Sequence, residues 1–333
     1  MQTTISETVP LHCRQKVYRP NTNQFLLSKI AESEQAEDLS IPPNCEGYGR
    51  IHHFRRRVDT EWMDDPLPID PACKALGLTY VDMLETQVFQ LAVCNLHCWY
   101  CFVPNALKRA QTEASKWFTA EEMIDIFLKE GNRACIIDLS GGNPELVPEW
   151  VVQTMKTLDK RGLSEKIYLW SDDTLTTDYT FQFLSKEDLN YFKNYRNYGK
   201  VCCFKGFDSS SFSFNSGLPE NMFNKQFEHF QRYLELGLDL YGYVTFTAEN
   251  YSEIDVKIGR FIDSLQKIHP LLPLRVVPLQ IFPFSPTNAR TTEKHVQAIE
   301  QQSLAASAWK TQLHSRFSTE QLKTRISDIN LYA

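Results

Sequence analysis

Six short apolar runs, each followed by a segment with helix character, fill the middle of the chain. That alternation confines it to βα units around a parallel sheet. The predicted strands are Thr86 to Val93, Ala134 to Leu139, Lys166 to Trp170, Lys200 to Phe204, Leu240 to Thr247 and Leu274 to Ile281. Between them, Thr119-Ala-Glu-Glu122 spells a capping box, with Phe118 and Met123 placed to act as a hydrophobic staple. Ser185 to Asp188 and Ser252 to Asp255 are weaker helix starts. Six strands joined in order by helical crossovers predict an α/β fold, a partial (β/α)6 barrel. Right-handed crossovers would put every strand C-terminus on one rim. Residues 1–80 carry Pro42-Pro43, Pro66, Pro68 and Pro71 and no sustained period, and are expected to wrap the core as an irregular extension. The barrel is then expected over 81–286. A helical extension over 287–333 should follow, with a Ser-x-x-Gln start at Ser318.

At 333 residues, the chain suits two domains or one extended barrel. Its 42% hydrophobic and 23% charged residues exclude a disordered tail or a small disulfide scaffold. The longest apolar candidate, Leu271 to Phe284, is broken by Arg275 and three prolines, so no membrane span is expected. Met1 to Arg14 has no basic start followed by an apolar run, which points to the cytoplasm. A net charge of -6 argues against binding a nucleic-acid backbone.

The nine cysteines do not form an even framework, and Cys94, Cys98 and Cys101 fall within eight residues. The loop Cys94-Asn-Leu-His-Cys98-Trp-Tyr-Cys101 directly follows the first predicted strand. Spacings of x3 and then x2 suit a tight loop around one corner of a cubane, with one thiolate on each of three irons and the fourth iron open. The competing reading is a structural zinc site that adds His97, but His97 lies inside the x3 spacer and the spacing is unlike a zinc ribbon. A fourth cysteine, as a fully ligated cluster would want, does not occur before Cys135.

Cys-x3-Cys-x2-Cys with Tyr100 before its last cysteine resembles the signature of the radical S-adenosylmethionine (SAM) superfamily. Further matches run from about Gln87 to Ile281. Leu139-Ser-Gly-Gly-Asn-Pro-Glu145 is similar to the superfamily's Gly-Gly-Glu-Pro motif, with Asn143 where glutamate is usual. The resemblance implies a [4Fe-4S] cluster on Cys94, Cys98 and Cys101. It also implies SAM held by Tyr100, Gly141, Gly142, Asn143, Pro144, Ser171, Asp172, Lys205 and Val277. In Cys202-Cys-Phe-Lys205, Cys203 stands where the similar strand end of glycyl-radical-enzyme activases has aspartate, and Lys205 could neutralise the SAM carboxylate. Adjacent cysteines on a buried strand face opposite sides and usually just pack, which is the stronger reading of Cys202 and Cys203.

The implied reaction is reductive cleavage of SAM to a 5′-deoxyadenosyl radical that abstracts hydrogen from a small-molecule or peptide substrate. An oxygen-sensitive cluster and a flavodoxin- or ferredoxin-type electron donor are implied with it. Trp170, Asp173, Asp208, Tyr241 and Tyr243 sit at predicted strand ends or on a polar-aromatic strand face and are the candidate substrate residues. Carboxylates at loop starts are also common helix caps, and the hydroxyls of the fifth strand could be satisfied locally. The alternatives are a glycyl-radical-enzyme activase, against which the long preface argues, and a non-catalytic iron–sulfur or SAM-binding protein. No cysteine follows Cys203, so residues 204–333 cannot ligate an auxiliary cluster through thiolates.

Overall fold

A curled seven-stranded sheet forms the body of the protein, seen in a computed structural model that describes residues 5–56, 62–131 and 134–332. In chain order the strands are β1 (Tyr18–Arg19), β2 (Gln24–Ser28), β3 (Gly49–Arg55), β4 (Met83–Gln90), β5 (Ser115–Phe118), β6 (Ile136–Ser140), β7 (Tyr168–Asp173), β8 (Tyr198–Phe204), β9 (Leu240–Thr245) and β10 (Val276–Leu279). The large sheet runs β10-β9-β8-β7-β6-β4-β3. Its six strands from β4 to β10 are parallel and neighbour one another in chain order, and β3 adds an antiparallel edge. Helices Ala120–Lys129, Pro148–Lys160, Lys186–Asn194, Lys225–Leu236 and Ile254–Ile268 make the crossovers, so this is the α/β half-barrel expected.

Pleating gives the sheet two faces of different character. Ile137, Leu139, Leu169, Cys202, Phe204, Leu240 and Val244 face the helices and pack with Trp150, Met155, Phe230, Phe261 and Trp309. Each such side chain contributes roughly 1.5–3 kcal/mol on burial. The inner face carries Ile136, Tyr168, Trp170, Val201, Tyr241 and Val277, closed below by Leu67 and Ala72 of the N-terminal segment. The expected capping box is formed: the Glu122 amide donates to Thr119 Oγ1 at 3.2 Å and the Thr119 amide to Glu122 Oε2 at 2.7 Å. Ser185 and Ser318 also cap their helices, whereas Ser252 does not; Glu253 holds that N-cap position without a side-chain bond.

The N-terminal segment contains structure that its sequence hides. β3 pairs along its whole length with β4, although its side chains are half-buried on both faces and show no period of two. β2 pairs with β1 and β5 in a separate three-stranded sheet. That sheet explains why β4 ends at Gln90 and not at Val93. The Ala92 amide donates to Leu26 O at 2.9 Å, drawing the chain out of the barrel before the cysteine loop. The segment also spans the open side of the half-barrel. Gln35 and Gln90 exchange side-chain hydrogen bonds at 2.9 and 3.1 Å, and Asp38 accepts from the Ser285 amide and hydroxyl at 2.9 Å each. The helix Glu293–Arg316 packs on Ile254–Ile268, and Gln302 holds both backbone groups of Ile281 beyond β10. Among the described residues no helix is long and apolar enough to cross a membrane.

Candidate functional site

The cysteine loop lies on the rim made by the strand C-termini, and contacts from distant parts of the chain fix its path. The His97 amide donates to Ser216 O at 3.0 Å, and Trp99 Nε1 donates to Asn215 Oδ1 at 3.2 Å. Asn215 is itself held by Thr247, whose hydroxyl donates to the same Oδ1 at 2.7 Å. Trp99 stacks on His295 with ring centroids 4.3 Å apart, and the Arg290 guanidinium donates to the carbonyls of Cys98 and Cys101. Tyr100 hydroxyl lies 3.1 Å from Thr245 Oγ1 on β9. Leu96, Trp99, Tyr100, Ile281, Phe214 and Leu279 surround the thiols with apolar surface.

Apart from the thiols themselves, which raise one another, the charged groups that act on them are cationic. Burial pushes Cys94 up to about 12 and raises Cys98, with Lys108 opposing the shift at both and Lys205 also opposing it at Cys98. At Cys101 burial acts upward, but Lys108, the Val103 amide and Arg290 outweigh it and the thiol titrates below its ordinary value. Lys108 is buried at 6% exposure and makes no ion pair among the described residues, so the thiols are what this cation faces. Three thiols in an apolar shell with cations behind them fit an anionic iron–sulfur cluster. Among the described residues no three His, Cys, Asp or Glu side chains converge on one metal ion.

The Gly141-Gly142 turn packs directly against the start of that loop. Both glycines have positive φ, +65° and +55°. A Cβ on Gly142 would lie 2.1 Å from Leu91 O and 2.4 Å from Val93 O, and one on Gly141 would meet Gln90. Close packing on the end of β4 thus demands these glycines, in addition to any ligand that approaches their backbone. The Asn143 amide donates to Val93 O at 2.7 Å, and its side chain donates to Asn95 at 2.5 Å and Glu145 at 3.2 Å. Asn143 Oδ1 is buried without a partner, an acceptor left over beside the cysteine loop. Pro144 is buried beside it.

Below the turn, Glu145 accepts from the amides of Thr174 and Thr176 at 3.0 and 3.1 Å, which ties the loop after β7 to the Gly-Gly turn. Asp173 joins Glu145 and takes a 2.9 Å ion pair from Lys200, both ends 3% exposed or less. Burial and the Asp173 charge drive Glu145 well above the ordinary carboxyl range. Although burial acts the other way, Lys200 and Glu145 hold Asp173 down near about 2. Removing one partner of a buried pair leaves the other charge uncompensated, at a cost of roughly 3–5 kcal/mol. Lys200→Met is therefore expected to lower the melting temperature by roughly 5–15 °C. An unchanged melting curve would show that this network does not support the rim.

The candidate residues separate by face. Asp172, Lys205, Tyr100, Val277 and Tyr243 face the barrel interior or its rim. Ser140 donates to Asp172 at 2.5 Å, and Lys205 sits close to Tyr100, Cys203, Cys98 and Cys94. Tyr243 hydroxyl donates to Asp65 at 2.9 Å, so the N-terminal segment reaches the interior. Ser171 and Asp173 lie on the opposite, helix-covered face, Ser171 bonded to Tyr198 at 2.7 Å and Asp173 within the Lys200 pair. Trp170 and Tyr241 meet at a tilt with ring centroids 5.5 Å apart and form the barrel floor with Tyr168, below the rim. Asp208 accepts from the Ser211 amide at 2.7 Å as a helix cap. Cys202 packs under the helices and Cys203 faces inward, the split expected of adjacent strand positions. Sequence reasoning passed over Lys108 and Arg290, which belong to no local motif. It also passed over Arg50 and Asp138, which lie inside the barrel on β3 and β6.

Residues 85–196 match the family model described as a 4Fe-4S single cluster domain, a span that holds the cysteine loop and the Gly-Gly turn. No curated protein matches the sequence. Among solved structures, SuiB of Streptococcus suis bound to precursor peptide SuiA is similar at 17% identity over 53% of this chain and 36% of its own, with a TM-score of 0.37. SuiB bound to S-adenosylmethionine matches at 16% identity, with coverage of 53% and 37% and a TM-score of 0.38. Polyhistidine-tagged anSMEcpe with bound AdoMet matches at 17% identity, with coverage of 53% and 45% and a TM-score of 0.38. The chain thus spans less than half the length of these proteins.

Proposed function

We propose that this chain, which bears the radical SAM signature on a parallel half-barrel, is a radical SAM enzyme acting on a small molecule. The observation that carries the reading is the joining of three thiols, their cations and the Gly-Gly turn on one rim. Cys94, Cys98 and Cys101 would hold the cluster. The backbone of Gly141 to Asn143, with Lys205 and Tyr100, would hold SAM. The chemistry supplied by the bound pair is one-electron cleavage of the sulfonium to methionine and a 5′-deoxyadenosyl radical, which takes hydrogen from substrate.

The residues of the chain have three tasks in that reaction. Lys205, flanked by the thiols, offers its ammonium to the SAM carboxylate. Lys108 and Arg290 hold the loop and offset negative charge behind it. Trp99, Phe214, Leu218 and Ile281 keep water from the thiols, which protects a reactive radical from side reactions. The Gln35 and Asp38 contacts put the N-terminal segment across the open side of the rim, which favours a small substrate over the large protein loop of an activase.

An anaerobic spectroscopic titration tests the reading. The reconstituted and dithionite-reduced protein should give a cluster EPR signal that changes shape when SAM is added. A signal indifferent to SAM, or protein that takes up zinc and no cluster, would overturn it.

A further inference from the structure

Inside the barrel, beneath the cysteine loop, lies a row of charged residues used by nothing described so far. Arg50 on β3 pairs in register with Val88 on β4, Val88 with Asp138 on β6, and Asp138 with Trp170 on β7. Residues opposite each other in a sheet share a face, so Arg50 and Asp138 project into the interior on either side of Val88. Two strand spacings separate their backbones, roughly 10 Å. No ion pair joins them, and no hydrogen bond to either charged group forms among the described residues. Arg50 Nε and Asp138 Oδ1 are both buried without a partner, and so is the Thr86 hydroxyl one row deeper on β4. Asp138 is only 4% exposed.

Unpaired buried polar groups are costly, and three in one place need a common cause. The cause here is complementary: the part-buried Arg50 guanidinium and two buried carboxyls, Asp138 and Asp172, act on one another across one slot, and burial with the Asp172 charge holds Asp138 well above the ordinary carboxyl range. Trp170, in register with Asp138, walls the slot at its own level, and the Ser140–Asp172 contact bounds it above. The Arg50 guanidinium carbon lies 5.3 Å from the ring centroid of Phe102, the residue directly after Cys101. The slot therefore opens beneath the loop that would carry the cluster.

We infer that Arg50 and Asp138 bind the α-amino-acid group of a ligand, its carboxylate on Arg50 and its ammonium on Asp138. A zwitterion answers Arg50 at one end and the Asp138–Asp172 carboxyls at the other and adds no net charge, whereas a plain amine leaves the guanidinium unanswered and a plain carboxylate leaves the carboxyls unanswered. Thr86 can serve either end. This rests on the radical SAM reading of the rim, and it narrows the substrate to a free amino acid or a close derivative. SAM carries the same group at its methionyl end, so the two sources must be told apart.

The test is ligand-induced thermal stabilisation of the cluster-loaded, SAM-bound protein under argon. The probes are the standard free L-amino acids and ornithine, each beside its decarboxylated amine and its 2-hydroxy acid. At least one amino acid should stabilise the wild type, with its two analogues weaker by roughly 30-fold. Arg50→Met and Asp138→Asn should each lose roughly 30-fold or more in amino-acid affinity. Arg50→Lys, which keeps the charge, should retain more binding than Arg50→Met. SAM affinity, read from the EPR change, should stay within about twofold in all three variants, a change worth under ~0.5 kcal/mol. A panel that never stabilises the wild type overturns the proposal, as do analogues that bind as well as the amino acid. A parallel loss of SAM affinity would assign the slot to the methionyl group and overturn it too. Amino-acid binding without SAM cleavage would leave this slot in place and fail only the radical reading.

Discussion

Gly142→Ala is expected to destabilise the protein by roughly 2–4 kcal/mol and to dislodge the cysteine loop. Its added methyl would sit 2.1 and 2.4 Å from the carbonyl oxygens of Leu91 and Val93, and backbone cannot swing aside as a flexible side chain can. The positive φ adds strain of its own. Relief requires the turn to move away from β4. That movement would pull the Asn143 amide off Val93 O, one residue before Cys94. The variant should melt lower and, after anaerobic reconstitution, hold substantially less iron per chain. Gly162→Ala is the control: this glycine also has positive φ but no atom near its missing Cβ, so only backbone strain of about 1–2 kcal/mol applies. Equal behaviour of the two variants would mean that contact with β4 does not set the turn.

Cys98→Ala is expected to fold and to lose the cluster. Cys98 is 8% exposed, and truncating its thiol removes one small group, so stability should change by roughly 1 kcal/mol. A cluster ligated by three protein thiolates has none to spare. The brown chromophore and the iron and sulfide content should therefore fall to background, while Cys202→Ala, whose thiol packs under the helices, should retain them. Full cluster content in Cys98→Ala would remove this loop as the ligating site.

The parts of the site legible in the sequence are those fixed by short spacing. The cysteine loop, the Gly-Gly turn and the Thr119 cap each depend on residues within a few positions of one another. The order of the parallel strands was also legible, because each strand was followed by its own helix. What escaped depends on partners far along the chain. β3 shows no alternation since both of its faces are half-buried, and only pairing with β4 brings Arg50 into the barrel. Arg290 reaches the Cys98 and Cys101 carbonyls from far along the chain, and Lys108, seven residues after Cys101, meets the thiols only because the loop folds back. The assignment of Asp173 to the substrate failed on parity. A strand alternates faces with a period of two, so Trp170 and Asp172 share the interior while Asp173 turns to Lys200. Trp170 and Tyr241 lie on the inner face but pack with Tyr168, Leu67 and Ala72 below the rim, a contact with the N-terminal segment that the strand sequences do not show.

Radical initiation at this rim can be read from the products of SAM cleavage. Wild-type protein with its cluster reconstituted is mixed anaerobically with SAM and dithionite, and 5′-deoxyadenosine is quantified by mass spectrometry beside Cys98→Ala. 5′-Deoxyadenosine and methionine should form in equal amounts from the wild type and neither from the variant. A fully cluster-loaded wild type that forms neither product, with the amino-acid panel also present, would contradict radical initiation at this rim.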